Sequence, residues 1–68
     1  MKFEYDKDAD AAYIYLEHPL KEGQVKNTID LNSNIILDFD NKGKLLVVEI
    51  LNASKVLNKK ALEQAQTA

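Results

Sequence analysis

Two alternating apolar runs joined by a short loop constrain this chain more than any other feature. They span residues 35–40 and 44–51, and the loop between them, Asn41-Lys42-Gly43, has glycine where a positive φ is needed. The pattern predicts a β-hairpin. Pairing Phe39 with Leu46 places apolar side chains of both strands on one face and the carboxylates on the other, and a slip by one residue would mix the two sets. One face would then carry Ile35, Leu37, Phe39, Leu46, Val48 and Ile50, and the other Ile36, Asp38, Asp40, Leu45, Val47, Glu49 and Leu51.

The second run of this hairpin is apolar on both faces, which is typical of a central strand covered from above and below. A chain of 68 residues is expected to form one small domain, residues 1–68. A domain of this size buries only about 60% of the surface that its unfolded chain exposes. We therefore expect a second copy of the chain, or another small protein, to complete its core.

The remaining segments predict an α+β fold, an antiparallel β-meander of four to five strands followed by one short C-terminal helix packed on the sheet. Residues 2–5, 11–17 and 25–31 read as the first three strands, the third of them suited to an edge because it contains Lys26. Residues 6–10 read as a turn rich in aspartate. Ser54 is the expected N-cap of the helix, and its apolar stripe comprises Leu57, Ala61, Leu62 and Ala65.

Charge and hydropathy exclude several classes of protein. The basic residues are nine lysines, and the net charge is −2 with a pI near 5.2, which opposes nucleic-acid binding. No apolar run approaches the ~18 residues that span a membrane. The N-terminal residues lack the apolar stretch of a secretory signal, so a cytoplasmic location is expected. The chain has no cysteine, which excludes disulfides and thiolate metal sites.

One acidic pattern resembles a calcium-binding loop. Asp6, Asp8 and Asp10 alternate, and Glu17 follows where a twelfth-position ligand would lie. Ala11 stands where such a loop requires glycine, however, and the following residues alternate like a strand. A solvated turn is the preferred interpretation, and a divalent-metal or small-ligand site is the alternative.

Other reactive side chains do not form a recognisable catalytic set. Asp38 and Glu49 would share one face of the hairpin, where carboxylates either perform acid–base chemistry or remain solvated. His18 is the lone histidine and is expected to be exposed. No nucleophile–base arrangement and no phosphate-binding glycine loop accompany them. We therefore predict no enzyme activity, no catalytic residue and no cofactor.

Tyr13 and Tyr15 alternate with apolar residues and would lie together on one face of the second strand. Tyrosine suits a half-wet surface, because the ring buries while the hydroxyl needs a partner. A packing or subunit contact is therefore expected there. The predicted interaction surface comprises Tyr13, Tyr15, Asp38, Val47, Glu49 and Leu51.

Two segments, residues 5–16 with the sequence YDKDADAAYIYL and residues 38–54 with the sequence DFDNKGKLLVVEILNAS, resemble a small prokaryotic family catalogued as domain of unknown function 2283. Two positions depart from the family pattern: Ala12, where leucine is frequent, and Val47, where glycine is frequent. Val47 would fill the space beside Asp38 and Glu49. The matching residues are Tyr5, Asp6, Ala9, Asp10, Ala11, Tyr13, Ile14 and Leu16, followed by Asp38, Phe39, Asp40, Gly43, Glu49, Ile50, Leu51, Ala53 and Ser54.

The resemblance implies a β-meander followed by a short helix, and it supplies no catalytic residues. By analogy with toxin–antitoxin modules, it is compatible with a protein-binding role. The sequence therefore predicts a non-enzymatic interaction or self-assembly module, with a homodimer as its expected form. The alternatives are a neutralising partner of a small toxin in a two-gene module, and a small-ligand or metal-binding domain.

Overall fold

The computed structural model describes residues 1–67, which form a six-stranded mixed sheet and two short helices. No helix in this part of the chain is long and apolar enough to cross a membrane. The elements are β1 (Lys2–Asp6), β2 (Ala11–Tyr15), β3 (Asn27–Leu31), β4 (Ile35–Phe39), β5 (Leu45–Leu51), α1 (Ala53–Val56), α2 (Lys59–Glu63) and β6 (Gln66–Thr67).

The sheet confirms the α+β prediction but not the simple meander. Its strand order is β3-β4-β5-β2-β1-β6, so β2 pairs with β5 and not with β3. All neighbours are antiparallel except β1 and β6, which are parallel. The doubly apolar β5 is central, as predicted, and β3 is an edge strand. The prediction of four to five antiparallel strands was wrong about β6, because a two-residue strand carries no periodic signal.

The β4–β5 hairpin is confirmed, with one correction to its register. Ile35 pairs with Ile50 and Leu37 pairs with Val48, as predicted. Phe39 pairs with Leu45 and not with Leu46, because the register shifts between Asp38 and Phe39. In such a bulge one extra residue enters a strand, and here that residue is Leu46. Gly43 has φ +79°, the left-handed conformation that the loop was predicted to need.

The predicted single helix is wrong, because the helical backbone is interrupted at Leu57 and Asn58. Leu57 has an extended backbone, and the side chain of Asn58 accepts a hydrogen bond from the backbone N–H of Ala61 at 2.8 Å. Asn58 therefore caps a second helix. Ala65 lies beyond that helix and is not part of a helical stripe.

The helices cover one face of the sheet, which we call the covered face. Its centre is Ala12, Ile50 and Ala53, which are at most 4% exposed. Leu57, between the helices, and Leu62, on α2, pack against this centre, so the predicted docking of the C-terminal segment on the sheet is confirmed. The strand residues packed there are Phe3, Tyr5, Ile14 and Val48.

Candidate interaction surface

The opposite side of the sheet, which we call the open face, collects the side chains that alternate with those of the covered face. All six residues of the predicted interaction surface lie on it, because β2, β4 and β5 are neighbours in register. In the described part of the chain, no helix packs on this face. The six residues are Tyr13, Tyr15, Asp38, Val47, Glu49 and Leu51.

The pairing register arranges the open face in rows that cross the strands. Residues paired across neighbouring strands point to the same side of the sheet. Each row therefore combines side chains from five strands, in the order β1, β2, β5, β4 and β3. One row runs Glu4, Tyr13, Glu49, Ile36, Asp30, and the next runs Lys2, Tyr15, Val47, Asp38, Thr28.

The two tyrosines form the aromatic centre of this face. Their ring centroids are 6.3 Å apart at an interplanar angle of 20°, and the ring of His18 meets Tyr15 edge-on at 5.6 Å. Both tyrosines are half-buried, whereas His18 is exposed, as predicted. Burial raises the pKa of Tyr15, and the negative charges of Glu4 and Glu49 raise it further. The Tyr15 hydroxyl thus remains a hydrogen-bond donor at neutral pH.

Carboxylates surround the tyrosines. Tyr13 lies between Glu4 on β1 and Glu49 on β5. Glu4 forms an ion pair with Lys2 at 3.4 Å, and Asp38 accepts a hydrogen bond from the Thr28 hydroxyl at 2.7 Å. No other ion pair is found within residues 1–67. Carboxylates therefore alternate with the aromatic and apolar side chains of the open face, and Glu49 lies on the central strand β5. We call Glu4, Asp38 and Glu49, the carboxylates that flank the tyrosines and Val47, the acidic rim.

Val47 lies between Tyr15 and Asp38 in its row and is only 5% exposed. The sheet therefore presents a filled surface at this point. Asp38 and Glu49 lie on the same face, as the hairpin register predicted, but they occupy different rows and do not pair directly.

A polar cluster at one end of the sheet joins the β1–β2 turn to α1, and we call it the Asp10 latch. The Tyr5 hydroxyl donates to Asp10 Oδ1 at 2.6 Å, and the Ser54 hydroxyl donates to Asp10 Oδ2 at 2.7 Å. The backbone N–H of Ser54 also donates to Oδ1 at 2.9 Å, and that of Ala53 donates to the Asp10 carbonyl at 2.9 Å.

The latch corrects the predicted role of Ser54. The N-cap of α1 is Asn52, which makes no side-chain capping bond, and Ser54 lies inside the helix. Asp10 supplies the missing acceptor from 44 positions away. Hydrogen bonds from Tyr5 and Ser54 lower the pKa of Asp10, and the same contact with Asp10 raises the pKa of Tyr5. These three residues, all within the family-like pattern, therefore have a structural role.

The acidic residues that resembled a calcium loop make different contacts within and beside the β1–β2 turn and do not converge on one point. Asp6 Oδ1 accepts from the backbone N–H groups of Asp8 and Ala9, at 3.1 and 3.2 Å, while Asp10 faces Tyr5 and Ser54. In residues 1–67, no group of three or more histidine, aspartate or glutamate side chains could hold a metal ion.

Asp40 is likewise a turn residue. Its Oδ1 accepts from the backbone N–H groups of Lys42 and Lys44, at 2.8 and 2.9 Å. These hydrogen bonds lower its pKa, led by the one from Lys44. Asp40 thereby stabilises the loop of the β4–β5 hairpin.

Sequence reasoning missed the latch and the contribution of β1 to the open face. Asp10 and Ser54 are far apart in sequence, and no local pattern joins them; their joint presence in the family-like pattern was the available signal. Glu4 was missed because its place beside Tyr13 depends on the β1–β2 register.

Comparison with known proteins adds a family match. Residues 2–54 match the family model described as "Protein of unknown function (DUF2283)". The chain is also 42% identical over 59 residues to an uncharacterised protein of Methanocaldococcus jannaschii, covering 85% of this chain and 46% of that protein. The chain thus spans less than half the length of this relative. No solved structure matches the chain significantly. The residues matched by the family model include the Asp10 latch and the open face, whereas α2 and β6 lie beyond them.

Proposed function

The chain belongs to the family described as protein of unknown function (DUF2283), and from this premise we propose that it is a non-enzymatic protein-interaction module that binds another protein through its open face. One observation carries the proposal: in the described residues, both helices pack on one side of the sheet and leave the tyrosine-bearing side without a covering element.

The composition of the open face supports protein binding. Tyrosines are frequent among the residues that dominate binding energy, because a rigid ring buries a large area and its hydroxyl can donate a hydrogen bond. Tyr13 and Tyr15 stack at the centre, with Val47 and Leu51 on the neighbouring strand. Aromatic and apolar side chains with polar groups beside them are usual in protein interfaces.

The acidic rim favours a basic partner. Glu4, Asp38 and Glu49 lie around the tyrosines, and Lys2 is already paired with Glu4. A second copy placed face to face would bring acidic rims together, and like charges across an interface are unfavourable. A basic protein would be attracted to the same rim. This is the chemistry expected if the chain neutralises a small toxin from a two-gene module.

The test is affinity capture from cells of the source organism, followed by titration with the purified partner. We expect Tyr15→Ala to weaken binding at least ~10-fold, as for central aromatic contacts. Glu49→Lys should weaken it as well, and more strongly at low salt. Lys60→Glu on the exposed side of α2 is the control and should bind like the wild type. Equal binding by all four proteins would refute the proposal.

The mass of the purified protein in solution separates the two forms of this proposal. If the open face binds a second copy, Tyr15→Ala lowers the mass of the assembly. If the partner is a different protein, Tyr15→Ala leaves the mass unchanged and weakens only the heterologous complex. We expect the second result, because of the acidic rim.

A further inference from the structure

We propose that β3 is a self-association edge, at which two copies of this chain pair antiparallel about a two-fold axis passing beside Thr28. The two sheets would then form one continuous sheet. This proposal concerns the edge of the sheet, and it holds whether or not the open face binds a protein partner.

The position of β3 makes such pairing possible. It is the terminal strand of the sheet and pairs with β4 alone. All five of its residues are exposed. The outer side of an edge strand presents backbone donors and acceptors that readily pair with another chain. The opposite edge is the two-residue β6, which offers a much shorter ladder.

The apolar side chains beside this edge lack cover. On the covered face, the helices pack over β1, β2 and β5 but leave Ile29 at 47% and Leu31 at 45% exposure. Val25, just before the strand, is 37% exposed. An open depression of about 430 Å³ adjoins Ile29. It is lined by Asn27, Thr28, Ile29, Phe39 and Gly43. A paired strand would bring apolar side chains over this area and remove it from water.

The charges at this edge identify the occupant as a second copy. Lys26, just before β3, and Asp30, within it, lie two residues on either side of Thr28. In an antiparallel pair centred on Thr28, Lys26 of each copy faces Asp30 of the other. Opposite charges at such cross-strand positions are stabilising. Within residues 1–67, neither side chain forms an ion pair, although Asp30 Oδ1 accepts a hydrogen bond from the backbone N–H of Ser33 at 3.1 Å.

The same register pairs the apolar residues. Val25 would face Leu31 of the second copy, and Asn27 would face Ile29. A lysine on an edge strand disfavours pairing with a neutral strand. Here Asp30 of the second copy would supply its counter-charge, so the two charges select the two-fold arrangement and also fix its register. A two-fold contact of this kind closes on itself and does not propagate into a fibre.

Cysteine cross-linking tests the position of the axis. The chain has no cysteine, so Thr28→Cys introduces a single thiol. Directly opposed residues of antiparallel strands have Cα atoms about 4.5–5.5 Å apart, a separation that a disulfide spans. Under mild oxidation we expect a disulfide-linked dimer of the Thr28→Cys protein. Asn41→Cys, in the exposed loop between β4 and β5, is the control and should cross-link far less. Equal or absent cross-linking at the two positions would overturn the proposal.

Charge reversal tests the proposed contact between Lys26 and Asp30 independently of the cross-linking. In sedimentation over a range of concentrations, the wild type should dimerise and Lys26→Asp should shift towards monomer. The double variant Lys26→Asp with Asp30→Lys should recover the dimer. Thermal unfolding would check that each variant is folded. A monomeric wild type, a dimer insensitive to Lys26→Asp, or a monomer that instead binds an unrelated peptide at this edge would each overturn the proposal.

Discussion

At the scale of single residues, the Asp10 carboxylate accepts three hydrogen bonds that join two parts of the chain far apart in sequence. Asp10 has φ 51°, closes the β1–β2 turn, and receives hydrogen bonds from Tyr5 and from both the hydroxyl and the backbone of Ser54. Hydrogen bonds to a carboxylate are stronger than those between neutral groups. Asp10 thereby holds the start of α1 against the sheet.

Replacing this carboxylate should destabilise the protein. Asp10→Asn removes the charge and leaves an amide that cannot accept all three hydrogen bonds. We expect the melting temperature to fall by several degrees in thermal unfolding followed by circular dichroism. Asp8→Asn is the matched control, because it makes the same charge change in the same turn. If both variants melted alike, the latch would have no special role.

The low pKa values of Asp10 and Asp40 predict sensitivity to acid. A carboxyl whose pKa is lowered by folding contributes stability that is present above its unfolded value of about 4 and is lost as pH falls through its folded value. The wild-type melting temperature should therefore decline below about pH 4. Asp10→Asn should show a shallower decline, since the contribution of Asp10 is then absent while that of Asp40 remains. Parallel pH curves would contradict this assignment.

The raised pKa of Tyr5 has the opposite effect on how stability depends on pH. Its contribution is present below the unfolded value of about 10 and is lost as pH rises through the folded value. The latch is thus expected to weaken at both extremes of pH. At neutral pH it combines an ionised Asp10 with a protonated Tyr5, which is the arrangement that the hydrogen bond requires.

At the scale of the elements, the break between the helices depends on Asn58. Its side chain satisfies the Ala61 N–H and starts α2, which carries Leu62 onto the covered face. Asn58→Ala should cost about 1 kcal/mol of stability, the usual cost of a lost N-cap. Chemical denaturation measures this directly. Asn41→Ala, an exposed loop change, is the control, and an equal loss in both variants would contradict the capping role.

Local patterns predicted the elements well and their assembly less well. The β4–β5 hairpin follows from two alternating runs and Gly43, because its strands are neighbours in sequence. The β2–β5 pairing joins distant segments, and alternation alone does not choose a strand's neighbour. The helix break was missed because Leu57, Ala61 and Leu62 also fit one continuous stripe.

The candidate surface was more predictable than the fold around it. Side chains alternate along each strand, so Tyr13 and Tyr15 must share a face whatever pairs with β2. Asp38, Val47 and Glu49 likewise share a face through the hairpin register. Which side the helices would cover depends on how α1 leaves β5 and on the Asp10 latch. Both are long-range features that the local pattern does not contain.

At the scale of the whole molecule, helices cover one face of the sheet, and within residues 1–67 no helix covers the other face. The covered face has a helical layer and a buried centre at Ala12, Ile50 and Ala53. The open face has stacked tyrosines and an acidic rim, and the β3 edge has exposed apolar side chains. A short chain cannot cover all of this surface by itself. Two distinct contacts, one with a partner and one with a second copy, would use these two regions.

Site-specific photo-cross-linking in cells of the source organism tests whether the open face binds another protein. A photoreactive phenylalanine analogue would replace Tyr13 on the open face and, in a parallel experiment, Lys60 on α2. We expect the Tyr13 position to yield one defined adduct with another protein and the Lys60 position to yield none. The same adduct from both positions, or none from Tyr13, would contradict the assignment of the open face as the binding surface.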